Sequence, residues 1–159
     1  MSKKGTDIVK TDIKELIALL NKAFADEWLA YYQYWIGARV VKGLTQQAIT
    51  AELNEHAAEE LEHAQKLADR IIQLGGTPIL HPGEFGQFAN CSYMAPKDPN
   101  SKTILEQNIK GERCAIGVYD KILSIVKDKD EITYDLILSI LKDEVEHESD
   151  LLFLLDNLK

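Results

Sequence analysis

Two short stretches decide how this chain folds: residues 60–63, Glu-Leu-Glu-His, and residues 144–147, Glu-Val-Glu-His. In both, a glutamate and a histidine stand three residues apart, a spacing that puts the two side chains on one face of an α-helix. A further glutamate precedes each stretch at almost the same distance, Glu27 by 33 residues and Glu112 by 32 residues. The chain therefore carries one pattern twice, a lone glutamate followed by Glu-x-x-His.

The glutamates of this doubled pattern lie among apolar residues at helical spacing. At 100° per residue, Glu27 shares its face with Leu20 and Phe24. The other three interrupt apolar stripes in the same way: Glu60, Glu112 and Glu144. The free-energy cost of burying four unpaired charges in a core would exceed a typical total stability of about 5–15 kcal/mol. These stripes contain no Lys or Arg that could pair with the glutamates. Two divalent cations would neutralise all four, so the sequence predicts a dinuclear metal site.

The positions of the prolines define the organisation of the chain. All four prolines fall within residues 78–99, so nothing prevents long helices on either side. Apolar residues repeat there with a 3.6-residue period and predict helices at about 7–41, 45–74, 101–127 and 130–158. Gly43 suits the end of the first helix, a Thr103–Glu106 capping box marks the third, and Asp130 is the expected N-cap of the fourth.

The connections between these helices predict the topology. Short turns follow the first and third helices, whereas the Pro- and Gly-rich segment 77–100 is long enough to cross the bundle. The 159 residues are sufficient for one core but too few for two. We therefore expect a single all-α domain over 1–159, a four-helix bundle of two hairpins joined by one long crossover.

The composition argues against several functional classes. Acidic residues outnumber basic ones by 26 to 18, a net charge of −8 that fits cation binding and disfavours DNA binding. A basic tail of Lys3, Lys4 and Lys10 favours DNA contact only weakly. The N-terminus lacks the apolar core of a signal peptide, and no apolar stretch reaches the roughly 18 residues of a membrane span. We expect a cytoplasmic protein without membrane contact.

The residues of the doubled pattern resemble those of the ferritin-like superfamily, and within it the bacterioferritins, over essentially the whole four-helix region. The resemblance implies a ferroxidase centre with two iron ions per chain, for which Mn or Zn can substitute. It also implies a hollow homo-oligomeric shell that stores ferric iron. The implied ligand roles are as follows: Glu27 and Glu112 terminal, Glu60 and Glu144 bridging, and His63 and His147 one on each metal.

Three departures narrow this resemblance. Haem-binding bacterioferritins have a methionine where this chain has Leu61, so no haem is expected. Only 15 residues follow Glu144, too few for the fifth helix that accompanies 24-subunit shells. Cys91 and Cys114 resemble the cysteine pair of Dps-like thioferritins, which combine a bacterioferritin-like centre with a 12-subunit shell and favour H₂O₂ as oxidant. The residues alone leave both a disulfide and free redox-active thiols open.

Several side chains near the predicted ligands are candidates for orienting them. Tyr34 and Tyr119 each lie seven residues after a core-facing glutamate. Their hydroxyls would either donate hydrogen bonds to the bridging glutamates or find another hydrogen-bond partner in the core. Asn108, one turn before Glu112, is expected to hold a ligating imidazole. His56 is either a metal-binding position outside the centre or a core or surface histidine whose hydrogen bonds are satisfied, and the sequence favours the second.

The resulting prediction is a ferroxidase that oxidises Fe(II) with H₂O₂ or O₂, stores ferric iron and protects against oxidative damage. Apolar and aromatic residues on the flank of the first helix, among them Trp28, Tyr32 and Trp35, predict a contact with a second subunit. A rubrerythrin-type di-iron peroxidase is the nearest alternative, but the chain has no C-x-x-C rubredoxin module. A DNA-binding structural protector of the Dps type is the other alternative.

Overall fold

The computed structural model of the protein describes residues 3–158 and consists mainly of four long helices. In chain order the elements are α1 (Lys3–Asp7), α2 (Ile13–Val40), α3 (Gln46–Gln73), a 3-10 helix (Pro82–Glu84), α4 (Phe85–Phe88), α5 (Ser101–Val126) and α6 (Glu131–Asp156). No strand forms within the described residues, and the predicted all-α bundle with one long crossover is confirmed. Met1, Ser2 and Lys159 of the predicted domain lie outside the described residues.

The first long helix begins later than the sequence predicts. Asp12 accepts a hydrogen bond from the backbone N–H of Glu15 at 2.9 Å, which caps α2 at Ile13 rather than at residue 7. The preceding residues form the separate helix α1 and a linker. In that linker the N–H of Lys10 donates to the carbonyl of Lys129 at 2.8 Å, so the linker is tied to the turn between α5 and α6.

The predicted capping box of the third long helix is wrong, although its start at residue 101 is right. Asn100 is the N-cap, because its side chain accepts the backbone N–H two residues later at 3.0 Å. The hydroxyl of Thr103 instead donates to Asp98 at 2.8 Å. Asp130 caps α6 as predicted, by accepting the backbone N–H three residues later at 3.1 Å. Side-chain caps therefore fix where both helices of the second hairpin begin.

The crossover, residues 74–100, runs along the length of α2. Near its start, Asn21 donates to the carbonyl of Thr77 at 3.1 Å and accepts the N–H of Ile79 at 3.0 Å. Near its end, the N–H of Lys42 donates to the carbonyl of Pro99 at 2.8 Å. The sequence does not predict the two short helices within it, because each is too short to show a periodicity.

Two apolar clusters fill the bundle, one on each side of a polar layer. The first includes Leu20, Leu67 and Ile140, and the second includes Leu53 and Leu105, all fully buried. Each such side chain contributes about 1.5–3 kcal/mol relative to an exposed position. The core-facing glutamates and histidines lie between these clusters along the bundle axis.

Candidate metal centre

The four long helices bring the six candidate metal-ligand side chains together in the polar layer. All are between 1% and 3% exposed: Glu27, Glu60, His63, Glu112, Glu144 and His147. Each long helix supplies one glutamate, and α3 and α6 add a histidine because Glu-x-x-His places both side chains on one face. The structure therefore gathers all six residues that the doubled sequence pattern contains.

These side chains form two overlapping groups, each able to hold one metal ion. The groups are Glu27, Glu60, His63 and Glu144, and Glu60, Glu112, Glu144 and His147. Within each group, one donor atom per residue lies within 4.8 Å of the others. Glu60 and Glu144 belong to both groups, which is the position of bridging ligands between two ions. Glu27 and Glu112 each belong to one group, as terminal ligands do.

Both imidazoles turn Nδ1 toward the shared carboxylates. Nδ1 of His63 lies 3.1 Å from Oε2 of Glu60 and 3.3 Å from Oε1 of Glu144. Nδ1 of His147 lies 3.4 Å from Oε1 of Glu60 and 3.4 Å from Oε2 of Glu144. Each imidazole therefore contacts both shared glutamates, and an approximate twofold relation links the two hairpins.

Several donor atoms of this centre have no hydrogen-bond partner. Five such atoms are buried without a hydrogen-bond partner among the described residues: both oxygens of Glu144, one oxygen each of Glu27 and Glu112, and Nδ1 of His147. Within residues 3–158, the ion pairs of the centre's glutamates are with histidine alone. Each unsatisfied buried group costs about 1–3 kcal/mol or more. Two divalent cations would satisfy these atoms, so the residues present fit a dinuclear metal centre.

The crowding of carboxylates shifts their pKa values. Burial, followed by the charge of Glu27, raises the pKa of Glu60 to about 8. Burial and the charge of Glu144 raise the pKa of Glu112 well above its ordinary value. Burial acts to raise the pKa of Glu27 as well, but the combined influence of His63, Glu60 and Tyr119 outweighs burial, and the pKa is lowered. Closely packed like charges of this kind are relieved by an added positive charge.

Two acidic residues that the sequence analysis missed hold the outer nitrogens of the imidazoles. Nε2 of His63 lies 2.9 Å from Oδ2 of Asp143, and Nε2 of His147 lies 2.5 Å from Oε2 of Glu59. Such contacts fix the tautomer and orientation of a ligating imidazole. The signal was present in the sequence, because each acidic residue directly precedes a shared glutamate and the repeated pattern is acid-Glu-x-x-His.

The two tyrosines bond Glu112 and Glu27, the predicted terminal ligands, and not Glu60 or Glu144, the predicted bridging ligands, which corrects the prediction. Tyr34 of α2 donates its hydroxyl to Oε1 of Glu112 on α5. Tyr119 of α5 donates its hydroxyl to Oε1 of Glu27 on α2. Both tyrosines are fully buried, at 2% and 1% exposure. Each hairpin therefore orients the terminal glutamate of the other hairpin.

Asn108 does not hold an imidazole, contrary to the prediction. Its side-chain NH₂ donates to the carbonyl of Ile104 at 2.9 Å, and its oxygen accepts from the side-chain amide of Gln33 at 3.2 Å. Gln33 in turn accepts the backbone N–H of Met94 at 2.8 Å. Asn108 thus belongs to a chain of hydrogen bonds that fastens the crossover to the bundle.

The crossover covers the α2–α5 side of the centre, where the two cysteines form a disulfide. Cys91 of the crossover is bonded to Cys114 of α5. Asp26 accepts the N–H of Cys91 at 2.8 Å and the side-chain amide of Asn90 at 2.7 Å. A cavity of about 40 Å³ lies beneath, lined by crossover residues and by the centre's glutamates. The disulfide and Asp26 therefore hold the crossover over this cavity.

The aromatic flank of α2 is only partly exposed. Trp28 stacks on Phe85 of α4 with ring centroids 5.9 Å apart, so the crossover covers a residue for which the sequence predicts a subunit contact. Tyr32, Trp35 and Tyr93 remain 49%, 36% and 37% exposed. The ring centroid of Tyr32 lies 6.1 Å from that of Trp35 and 6.1 Å from that of Tyr93. An exposed aromatic patch therefore remains beside the covered one.

A four-helix bundle with one long crossover and a duplicated Glu and Glu-x-x-His ligand set defines the class of carboxylate-bridged dimetal proteins. The profile of the ferritin-like domain family matches residues 17–159. The chain therefore belongs to the ferritin-like family, as the resemblance predicts. No helix within residues 3–158 has the length and apolar composition needed to cross a bilayer.

Curated relatives carry ferritin-like names. The chain is 39% identical over 124 residues to the DNA protection during starvation protein of Pyrococcus furiosus, covering 77% of this chain and 66% of that protein. It is 32% identical over 108 residues to a bacterioferritin of Brucella melitensis, covering 66% of this chain and 60% of that protein. The matched regions thus span less than two thirds of the length of these relatives.

Solved structures show the same fold. One is described as a dodecameric thioferritin, the bacterioferritin-related protein of Bacteroides fragilis, with a TM-score of 0.97 and 45% identity. That similarity covers 99% of this chain and 95% of the other. Dps from Thermosynechococcus elongatus has a TM-score of 0.85 at 18% identity, covering 96% and 95%, a likeness of fold alone. The predicted resemblance to bacterioferritin-like and Dps-like proteins is confirmed.

Proposed function

We propose that this protein is a ferroxidase that oxidises Fe(II) with H₂O₂ or O₂ and stores the ferric product inside a hollow shell of identical subunits. One observation carries the proposal. Four buried carboxylates and two buried imidazoles converge on a point where several of their donor atoms have no hydrogen-bond partner among residues 3–158. Since no Lys or Arg pairs with these carboxylates in residues 3–158, metal cations supply the missing charge.

Fe(II) is the substrate in this proposal. Carboxylate and imidazole donors suit iron, and the shared glutamates Glu60 and Glu144 place two ions side by side. The two Fe(II) ions lose one electron each, and these electrons with two protons convert one H₂O₂ molecule into two water molecules. Because both electrons come from one site, no hydroxyl radical is released.

The chain itself fixes the ligand geometry. Asp143 and Glu59 hold the two imidazoles from outside, and Tyr34 and Tyr119 hold the terminal glutamates. Apolar clusters on both sides of the polar layer keep bulk water away from the ligands. Ligands fixed in this way bind metal without first having to reorganise.

Assembly into a shell of about twelve subunits completes the proposal. Most homo-oligomers have closed point-group symmetry, which a shell of this number can adopt. The similar Bacteroides fragilis protein is described as dodecameric. The patch of Tyr32, Trp35 and Tyr93 has the aromatic character of a subunit interface. Light scattering should give about twelve chain masses in one particle, and a monomer or dimer would remove the shell from the proposal.

Anaerobic Fe(II) titration of the metal-free protein tests the centre. We expect about two ions per chain, followed by rapid oxidation when H₂O₂ is added. Glu60→Gln should abolish binding of the pair and lower the oxidation rate at least about 100-fold, because both ions share this ligand. Glu62→Gln is the matched control, since Glu62 lies on the same helix with its side chain 63% exposed. Equal rates in the two variants would contradict the proposal.

A further inference from the structure

A cavity adjoins the centre on its α2–α5 side, beneath the crossover. Its volume is about 40 Å³, and the four candidate glutamate ligands line it, whereas His63 and His147 do not. Both imidazoles belong to α3 and α6, on the other side of the shared carboxylates. The cavity therefore reaches the carboxylates on a face that the imidazoles leave open.

Small side chains leave the room for this cavity. Ala30 of α2 lines it, together with Gly111 and Ala115 of α5. The nearest packing neighbour of a Cβ atom added to Gly111 would be Nε2 of Gln33, 4.0 Å away. A water molecule needs about 10–15 Å³ of such space, so the cavity has room for roughly two or three water-sized groups.

Two buried amides contribute hydrogen-bond donors to the same cavity. Gln33 and Asn108 line it and are 7% and 4% exposed. The NH₂ group of Gln33 donates to Asn108 at 3.2 Å, and the NH₂ group of Asn108 donates to the carbonyl of Ile104 at 2.9 Å. An amide NH₂ group has two hydrogens, so each amide has a second one to donate. Polar groups that converge on a cavity are typical of a site for a small molecule.

The cavity suits an uncharged ligand rather than an ion. The side-chain oxygens of Gln33 and Asn108 already accept hydrogen bonds, as do both oxygens of Asp26, so on this wall they are engaged and do not attract a cation. An anion would be repelled by the carboxylates, because none of the Lys or Arg side chains of residues 3–158 lines the cavity. A small molecule with oxygen acceptors and O–H donors fits both walls, since it can accept from the amides and donate to the carboxylates.

We propose that this cavity binds the oxidant, a small uncharged hydroperoxide such as H₂O₂, and that Gly111 sets the limit on its size. The amides of Gln33 and Asn108 hold its oxygens beside the four carboxylates. The inference rests on the proposed ferroxidase function, because it names where the oxidant of that site binds. An alkyl hydroperoxide would take two electrons from two Fe(II) ions, together with two protons, and its O–O bond would break to give one alcohol and one water molecule.

Crystals loaded with Zn(II), which cannot reduce a peroxide, test binding without turnover. After a soak in H₂O₂, density for a molecule of two oxygens is expected in the wild-type cavity, within hydrogen-bond distance of Gln33 and Asn108. Gly111→Val should leave no such density, because its side chain fills the space. Gly117→Val is the matched control and should keep the density, since Gly117 is an exposed glycine of the same helix with no packing neighbour within 4 Å of an added Cβ. Water alone in the soaked wild-type cavity would overturn the proposal.

The size of the oxidant gives a second measurement, in solution. The protein is loaded anaerobically with Fe(II) and mixed with either H₂O₂ or methyl hydroperoxide. Gly111→Ala adds one methyl group to the wall without a clash, and alanine suits a helix better than glycine. It should slow oxidation by methyl hydroperoxide about tenfold more than oxidation by H₂O₂, because one methyl group decides the fit in a closed pocket. Gly117→Ala should leave both rates unchanged.

The outcomes distinguish the oxidant pocket from the ferroxidase function. The wild type, Gly111→Ala and Gly117→Ala should each bind about two Fe(II) ions per chain. A wild type that binds no pair, or does not oxidise it, removes the ferroxidase function and the oxidant pocket with it. A pair that binds and is oxidised, with the same ratio of the two rates in Gly111→Ala as in the wild type, removes the oxidant pocket alone.

Discussion

Two of the regions that bury carboxylates compensate their charge differently. Asp130, 3% exposed, accepts two hydrogen bonds from the guanidinium of Arg70, at 2.9 and 2.8 Å. Glu60, 1% exposed, forms ion pairs within residues 3–158 with the imidazoles of His63 and His147 alone. One region thus carries its own cation within the chain. The other has no Lys or Arg partner among residues 3–158, so a cation from outside would fit it.

The pKa values of the two carboxylates express this difference. Burial acts to raise the pKa of Asp130, but hydrogen bonds from Thr133 and Arg70 outweigh it and lower the pKa. Burial raises the pKa of Glu60 to about 8, and the charge of Glu27 adds to the rise. A buried acid with an internal partner is compensated within the fold, whereas one without a partner is compensated only after a ligand binds. The contrast therefore separates a structural ion pair from a binding site.

The largest effect is expected when the internal cation is removed. Arg70→Met leaves Asp130 buried without a partner and should lower the free energy of unfolding by about 3–5 kcal/mol, with or without metal. Urea denaturation in EDTA and in Mn(II) measures it. Arg113→Met is the matched control: Arg113 is 61% exposed, pairs with Glu148 at 2.6 Å, and its loss should cost under about 1 kcal/mol. Equal losses in the two variants would show that Arg70 is not essential to its region.

The next largest effect should come from adding metal to the centre. At about 100 times the dissociation constant, Mn(II) should raise the free energy of unfolding by about 2.7 kcal/mol per site. Glu144→Gln removes a shared ligand and should abolish most of this increase. Arg70→Met should retain the full increase, since the ion pair and the centre are separate. An unchanged increase in Glu144→Gln would place the stabilising ion elsewhere.

A smaller effect of opposite sign is expected in the metal-free protein. Glu60→Gln removes one of four crowded carboxylates and should raise the free energy of unfolding in EDTA by about 1–2 kcal/mol. In Mn(II) the wild type should have the larger free energy of unfolding, which reverses the order found in EDTA. Glu62→Gln, which loses only an exposed contact with Lys66, should change stability by at most about 0.5 kcal/mol in both conditions. A destabilised Glu60→Gln in EDTA would show that the carboxylates are not in conflict.

The smallest effect should appear at acid pH. Because the folded-state pKa of Asp130 lies below its ordinary value of 3.8, the stability it contributes is complete above that value and is lost as pH falls through the lowered pKa. The stability gap between the wild type and Arg70→Met should therefore narrow below about pH 4, as Asp130 takes up a proton and no longer needs a cation. Urea titrations from pH 6 to pH 3 measure the gap, and a constant gap would rule out this linkage.

Much of the centre is predictable from sequence, because helical periodicity is a local property. Spacing alone places Glu27 and Glu60 on apolar faces, and the structure finds them in one buried layer. Contacts between helices are not local. Nothing in the spacing states that Tyr34 reaches Glu112 or that Asn108 turns to Gln33, since both depend on how the helices pack.

The remaining differences between prediction and structure arise where a specific contact outweighs the helical periodicity. The first long helix begins later than predicted because the side chain of Asp12 caps it at Ile13, although the apolar periodicity extends to earlier residues. Asn100 replaces the expected capping box because its oxygen already satisfies the first turn of α5. The path of the crossover is set by long-range contacts such as the Cys91–Cys114 disulfide, which no periodicity reveals.

The reciprocal tyrosine bonds make the halves of the molecule interdependent. Tyr34 and Tyr119 each orient a glutamate on the opposite hairpin. Each shared glutamate also contacts the histidine of the opposite hairpin. A chain cut within the crossover would therefore yield fragments that each hold an incomplete set of poorly fixed ligands. Metal binding, if it follows the proposed function, would then report on docking, because the complete ligand set forms where both hairpins are packed together.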